Sequence, residues 1–513
     1  MSQNESAKKK SFGDGFLNVV ERVGNRLPHP VTLFAIFAGI VLVLSFILSA
    51  MNVTAVNPAT DELIEVRNLL SAEGLIDILT GAVTNFTGFA PLGVVLVAML
   101  GVGVAERSGL IGAFLKKAVL GAPEKLITVV VVFAGVMSSM ASDAGYVVLV
   151  PLGAIVFAAK GRHPLAGLAA AFAGVSGGFS SNLFITMLDP LLMGFTEEAA
   201  HLLNPDYGVE ATANWYFMIA STVLITFVGT VITEKIVEPR LGKYTGSHVE
   251  EVEELKPEEK KGLVHAAISL LVLTGVTLLT VLPENGVLRS EAGEIFGGFP
   301  PSPFVNSIII LITIFFFIPG LVYGITAKTI TSDKDVAKFM EESMASMGGY
   351  IVLAFVAAQF VAYFDWSRIG VILAIQGAEF LQWIGLQGIP LILGFIVVSS
   401  IINIFVGSAS AKWAIMAPVF VPMLMTMGYS PEVTQLAYRI GDSTTNIISP
   451  LMPYFAIIVA FGKKYDKDLG IGTLVSTMLP YSIVFMLAWM ILLAVWLIAG
   501  LPIGPGAPVD YIM

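Results

Sequence analysis

Long stretches of this sequence carry no charged side chain, and that feature limits the fold more than any other. Leu27–Thr60, Ala211–Thr233, Ala266–Leu282, Ile295–Ala327, Ser343–Phe364, Phe380–Ala411 and Leu469–Val509 all lack Asp, Glu, Lys and Arg. A helix crossing a bilayer needs roughly 20 mostly apolar residues. Without water, the backbone must satisfy its own polar groups, and a helix does so within one segment. Composition agrees: only 13% of the 513 residues are charged, against about 25% in a soluble globular domain, and the mean hydropathy is +0.84. The chain reads as an all-α polytopic membrane protein with about nine crossings and some segments that enter the membrane only partway.

Charge also divides the chain. The most polar internal segment lies within 234–262, "EKIVEPRLGKYTGSHVEEVEELKPEEKK", and reads as a cytoplasmic linker between a first membrane half (31–233) and a second (263–513). Residues 1–30 form an N-terminal segment without an apolar signal-peptide core. Lys8–Lys10 in that segment predict a cytoplasmic N-terminus. Asn52–Asn68 and Pro283–Ser302 have no basic excess and are expected outside. The absence of cysteine excludes disulfides, thiolate metal sites and cysteine nucleophiles. A net charge of −10 offers no basic surface for nucleic acid.

The two halves repeat. Gly121 and Gly388, Pro123 and Pro390, Pro151 and Pro418, Gly161 and Gly428, Pro164 and Pro431, Gly174 and Gly441, and Ser176 and Ser443 all share an offset of 267 residues. Glycine and proline interrupt helices, so the halves are expected to break in the same places. The basic residues do not repeat. Arg107, Lys116, Lys117, Lys125, Lys160 and Arg162 flank the first repeat, whereas Lys463, Lys464 and Lys467 follow the second. The positive-inside rule then turns the repeats upside down relative to each other. Inverted repeats with matched helix breaks point to a secondary transporter with its site near the midplane.

The first break, near 164–190, contains "AGVSGGFSSNLFITMLDP"; the second, near 432–460, contains "YRIGDSTTNIISPLMPY". Each has two hydroxyls followed by Asn. Ser180, Ser181 and Asn182, and Ser443, Thr444, Thr445 and Asn446, are candidate Na⁺ ligands together with carbonyls freed by unwinding. The competing reading is that these hydroxyls bond back to helix carbonyls and permit close packing. Asp189, before Pro190, is either functional or a helix-start residue. Arg439 and Asp442 are three apart and expected to pair on one helix face. Charge at mid-bilayer usually faces a cavity, so Arg439 is a candidate for a substrate carboxylate, with Asp442 titrating or holding the guanidinium. In "NIFVGSASAKWAIMAP", Lys412 interrupts an apolar stretch and Trp413 offers an indole face. The offset partner of Trp413 is Tyr146, just after Asp143. These two aromatic turns are expected to form opposing walls of one site suited to an aromatic carboxylate.

With "RVGNRLPHP" (Arg22–Pro30), "SSNLFITMLDP" (Ser180–Pro190), "GSASAKWAIMAPVFVPM" (Gly407–Met423) and "YRIGDSTTNIISPLMPY" (Tyr438–Tyr454), the chain resembles the AbgT family of aminobenzoyl-glutamate transporters over essentially its whole length. The resemblance implies a homodimer in a bacterial inner membrane, with nine membrane helices and two re-entrant hairpins per subunit. It implies a substrate pathway through Asp189, Asn403, Ser410, Trp413, Pro431, Arg439, Asp442, Asn446 and Pro450. The implied cargo is p-aminobenzoyl-glutamate or a related antimetabolite such as a sulfonamide, with the direction of transport open.

The expected function is alternating-access transport driven by Na⁺ or H⁺, with no other cofactor. A dicarboxylate or short-chain fatty-acid carrier of the same superfamily is the alternative. A passive channel is a different class. An intramembrane hydrolase would need Ser408 or Ser410 activated by Lys412, and none of the five His residues forms a metal-ligand pair such as HExxH. The chain is therefore not expected to be an enzyme.

Overall fold

The computed structural model describes residues 28–512, apart from 57–62, 142–144, 245, 247–253, 291–292, 294, 296–301 and 453. Most of the 1–30 segment, and Asp143, lie outside the described residues. Among those described, nine helical stretches are long and apolar enough to cross a membrane: Pro30–Ala50, Ala72–Arg107, Trp215–Leu241, Pro257–Val281, Ile308–Ala327, Gly348–Trp366, Gly388–Phe405, Ala409–Thr426 and Ile471–Ile498. The expected all-α polytopic architecture is thus present. The exception to helix is a two-stranded hairpin, Thr54–Val56 against Leu63–Glu65.

Local chemistry sets several helix starts. Proline occupies the first turn of Pro30–Ala50, Pro164–Phe172, Pro257–Val281 and Pro431–Asn446, where the missing N–H costs nothing. Ser430 caps the last of these by accepting from the Val433 N–H at 3.2 Å. On the outer surface, Leu271 and Leu279 of Pro257–Val281 are more than 70% exposed, as befits side chains solvated by lipid.

Between the long helices lie shorter, interrupted ones. Ile127–Met137 gives way to a 3₁₀ turn at Ser138–Ala141, and the chain resumes as Val150–Ala159. Pro164–Phe172 ends in a π turn, Ala173–Gly177, and Leu188–His201 begins after an irregular stretch. In the second half, Gly388–Phe405 and Ala409–Thr426 are separated by residues 406–408, and Pro431–Asn446 and Phe455–Lys463 by residues 447–454. The interruptions therefore recur at the sequence offset of the glycines and prolines.

The packing recurs as well. A Cβ on Gly174 would meet the Val132 carbonyl and lie 2.9 Å from Cα of Gly135; one on Gly441 would lie 2.7 Å from the Ile396 carbonyl and from Cβ of Ser399. Val132 and Ser399 are themselves offset partners. Each half thus lets two backbones approach through the same missing side chain, as small residues do in membrane bundles.

Two further segments show how the chain ends its long helices. The charged 234–262 stretch is helical at both ends, since Trp215–Ile232 continues through a π turn to Leu241 and the next helix begins at Pro257. The apolar run ending at Val509 is a helix only to Ile498. Its tail folds back as a strap: Ile503 O accepts from Phe217 N at 3.1 Å, Val509 O from Ser430 N at 3.0 Å, and Gly428 O from Tyr511 N at 2.8 Å. Proline and glycine in "LPIGPGAP" stop the helix and expose the carbonyls that make these bonds.

Candidate functional site

The two breaks meet. The backbone N–H of Ser180, in the first, donates to Oγ of Ser443, in the second, at 3.1 Å. Around this contact four ionised side chains lie buried in two pairs. Arg439 Nη1 reaches Oδ1 of Asp189 at 2.7 Å, and Nη2 donates to the Ser180 carbonyl at 3.0 Å. Lys412 Nζ reaches Oδ1 of Asp442 at 2.5 Å. It also donates to Asn403 Oδ1, and to the Val406 carbonyl at 3.3 Å.

These pairings correct the expected one. Arg439 and Asp442 sit on the same helix but turn to different partners. Arg439 crosses to the first break, and Asp442 to the Ala409–Thr426 helix. An i,i+3 pair in water is worth only a few tenths of a kcal/mol, whereas an isolated charge in a dry interior costs several. Each ion therefore takes the partner that neutralises another buried ion. The role of Lys412 had one signal in sequence, a lone charge within an apolar run.

Asp189 takes the helix-start position and also pairs with Arg439. Its Oδ2 accepts from the backbone N–H of Thr186 at 2.6 Å and the Thr186 hydroxyl at 2.9 Å, as at a helix start. Its Oδ1 is left for Arg439. The guanidinium in turn has one group, Nε, that is buried without a partner. Arg439 thus retains donor capacity for a carboxylate.

An aromatic surface adjoins the ion pairs. Trp413 is fully buried and stacks on Tyr438, with centroids 4.4 Å apart and planes 26° apart. Its Nε1 donates to Thr196 Oγ1 at 2.9 Å. Tyr146 stacks instead on Tyr454 at 4.6 Å. The two aromatic turns thus each build a stack, Trp413 on Tyr438 and Tyr146 on Tyr454.

Asn403 gathers the second break: its Nδ2 lies 2.5 Å from the Asp442 carbonyl, 2.8 Å from Thr445 Oγ1 and 2.9 Å from Asn446 Oδ1. Asn446 Nδ2 lies 3.5 Å from Asp442 Oδ2. Ser410 is partly buried beside the Ser408 cap, their oxygens 3.4 Å apart. Pro431 starts the Pro431–Asn446 helix, and Pro450 lies in the turn that follows it.

The hydroxyls of the two breaks behave differently. Ser176, Ser180 and Ser181 are buried and their hydroxyl oxygens have no partner. Asn182 donates to Ser139 in the neighbouring 3₁₀ turn at 3.0 Å. By contrast, Thr444 bonds back to the Ile440 carbonyl at 2.9 Å and Thr445 to that of Gly441 at 3.0 Å. Buried polar atoms are normally satisfied, so the first break has spare oxygen atoms where the second has few. Among the described residues no cluster of His, Asp and Glu is built to hold a metal. Lys412 donates to Asp442, Asn403 and Val406, not to Ser408 or Ser410, so a Ser–Lys dyad is not assembled.

Interrupted helices packed break to break, around buried charges in a chain of many crossings, define a polytopic membrane transporter. Residues 15–511 match the AbgT putative transporter family, and the chain belongs to that family. It is 42% identical over 488 residues to the p-aminobenzoyl-glutamate transport protein of Escherichia coli (strain K12), covering 95% of each chain. Two solved structures are similar. The YdaH transporter of Alcanivorax borkumensis, described as having an unusual topology, superposes with a TM-score of 0.89 at 46% identity, over 93% of this chain and all of that one. MtrF of Neisseria gonorrhoeae, assigned to a class of antimetabolite efflux pumps, gives 0.90 at 50% identity, over 96% of this chain and all of that one.

Proposed function

We propose that this protein is a cation-coupled secondary transporter of p-aminobenzoyl-glutamate and related aromatic carboxylates or antimetabolites. It works by alternating access as a homodimer in a bacterial inner membrane, with its N-terminus in the cytoplasm. The observation that carries the substrate class is the Arg439–Asp189 pair beside the Trp413–Tyr438 stack. A substrate carboxylate competes with Asp189 for the guanidinium and engages the unpartnered Nε, while an aromatic ring packs at Trp413. Efflux and uptake are the same cycle run against different gradients. One elementary charge moving through 100 mV supplies about 2.3 kcal/mol.

The coupling cation has two candidate settings. Ser180 and Ser181 carry unpartnered hydroxyl oxygens beside Asn182, which favours a Na⁺ position there. Ser443, Thr444, Thr445 and Asn446 form the matching but more fully bonded set. The interruptions at 138–141, 178–187, 406–408 and 447–452 are the places where re-entrant hairpins and inverted repeats would turn.

The test is flux of labelled p-aminobenzoyl-glutamate into proteoliposomes, with Na⁺ and pH gradients imposed separately. Wild type should accumulate substrate under at least one gradient. Arg439→Ala and Asp442→Ala should reduce flux at least tenfold while the protein remains folded. Unaltered flux in both variants would remove these residues from the mechanism, and single-channel currents in a planar bilayer would indicate a channel. Trp413→Ala should weaken binding; unchanged binding would favour an aliphatic dicarboxylate carrier.

A further inference from the structure

A third buried acid, two turns before Arg439 on the same helix, has no cationic partner among the described residues. Glu432 is the second residue of the Pro431–Asn446 helix and is 3% exposed. The sequence Ser430-Pro431-Glu432 reads as an ordinary helix start, and such an acid is commonplace where water reaches it. Here water does not. The C-terminal strap closes over it: Pro508 O accepts from the Ser430 hydroxyl at 2.7 Å, and Tyr511 packs edge-on to Tyr207, centroids 5.7 Å apart. The Tyr207 hydroxyl donates to Glu432 Oε2 at 2.9 Å, and the Ser430 hydroxyl and Glu432's own backbone N–H also act on the carboxyl.

The titratable groups around Glu432 are carboxyls, phenols and the His201 imidazole. Glu210, from the 203–214 loop, acts on it as a second negative charge. Burial holds the Glu210 carboxyl above its usual range, and burial and then Glu432 push the Tyr207 phenol up. On the Leu188–His201 helix, Glu197 accepts from Val209 N and the His201 ring bonds to the Tyr207 carbonyl. The strap contributes Tyr511 and Asp510, which bridges to Tyr429. Segments 188–214, 427–438 and 469–513 contain no Lys or Arg. A buried carboxylate without a countercharge binds a proton rather than bear the desolvation cost.

Glu432 is also tied to the substrate site by oriented hydrogen bonds. Its carbonyl accepts from Asn214 Nδ2 at 3.0 Å, and Asn214 Oδ1 accepts from Gln435 Nε2 at 2.9 Å. Gln435 Oε1 accepts from the Thr196 hydroxyl at 2.6 Å, whose oxygen accepts from Trp413 Nε1. Amides do not pass protons along such a chain. It transmits position, locking the start of the Pro431–Asn446 helix to the helix carrying Trp413.

We propose that Glu432 is the proton-carrying residue of the transport cycle. It takes up a proton from one side through the Tyr207 hydroxyl and releases it to the other, and the Asn214–Gln435–Thr196 chain links its charge to the posture of Trp413. This inference rests on the transporter reading above and gives its cation setting a second, chemically distinct member.

Glu432→Gln keeps the side chain's size and can still accept from Tyr207, but cannot change charge. In proteoliposomes it should lose at least tenfold of the p-aminobenzoyl-glutamate accumulation driven by a pH gradient. It should keep counterflow exchange, which needs no net proton movement, and Glu432→Asp should restore part of the accumulation. In detergent, substrate binding to wild type should move protons, seen as a binding heat that depends on the buffer's ionisation enthalpy; the Gln variant should lose that dependence. The proposal is overturned if the Gln variant accumulates substrate under a pH gradient like wild type. Loss of counterflow together with accumulation in the folded variant overturns it equally, as does wild-type accumulation indifferent to a pH gradient. A wild-type protein with no counterflow at all refutes the transporter reading instead.

Discussion

At the scale of the residue, the second break carries a stripe rather than a cluster. Glu432, Gln435, Arg439, Asp442 and Asn446 follow one another at spacings of three and four, the period of one helix face. The stripe lies in a helix whose sixteen residues are all buried, so every polar member meets another element. Arg439, Asp442 and Asn446 stood out in sequence by charge and motif. Glu432 and Gln435 belong to the same stripe, but Ser-Pro-Glu also reads as a plain helix start and hid them. Their partners, Tyr207, Asn214 and Thr196, lie more than two hundred residues away in the chain and have no sequence signal at all. The Lys412–Asp442 pair allows structural and functional roles to be separated. Lys412→Met leaves a buried carboxylate uncompensated and should cost about 3–5 kcal/mol, read as a lower melting temperature in detergent. Lys412→Met combined with Asp442→Leu should regain most of that stability while transport stays lost. A double variant no more stable than the single one would show that the pair is not held by mutual neutralisation.

At the scale of the element, the repeat was visible because glycine and proline are punctuation that a helix cannot ignore. The 267-residue offset located the interruptions, and Gly174 and Gly441 were among its matched positions. Sequence could not say what each glycine admits, because close approach depends on the partner helix. The structure supplies Val132 with Gly135 in one half and Ile396 with Ser399 in the other. Gly174→Ala and Gly441→Ala should each destabilise by about 1–3 kcal/mol, the range for overpacking, because backbone rather than a flexible side chain stands in the way. Gly112, with open space around its missing Cβ, is the control, and Gly112→Ala should melt within a degree or two of wild type. Equal melting temperatures for all three variants would mean that the close approaches do not stabilise the packing within each half. The strap at 499–512 follows from the same punctuation: its composition is apolar, but its prolines and glycines end the helix at Ile498.

At the scale of the whole molecule, the two breaks are bonded directly to each other. Arg439–Asp189 and Ser180–Ser443 join the first half to the second. Thr196–Gln435 and Trp413–Thr196 do the same. Bodies joined by buried ion pairs move together, since separating the ions exposes each to a dry interior. The Leu188–His201 helix touches the surrounding frame at a different place, where a Cβ on Gly194 would lie 2.7 Å from Cγ of Pro91 and 3.1 Å from its Cα. Pro91 belongs to Ala90–Arg107, which packs through Gly103 on Ser343 of Asp333–Ser346, helix against frame helix. Alternating access by a moving core therefore requires sliding at Gly194–Pro91 and none at Gly103–Ser343. The chain contains no cysteine, so introduced pairs report without background. Oxidised Pro91→Cys/Gly194→Cys should block flux and recover it on reduction, given the short Cβ separation a disulfide needs. Oxidised Gly103→Cys/Ser343→Cys should transport normally. Full flux through the first cross-link would place the moving boundary elsewhere, and a block by the second would mean that the frame itself must deform.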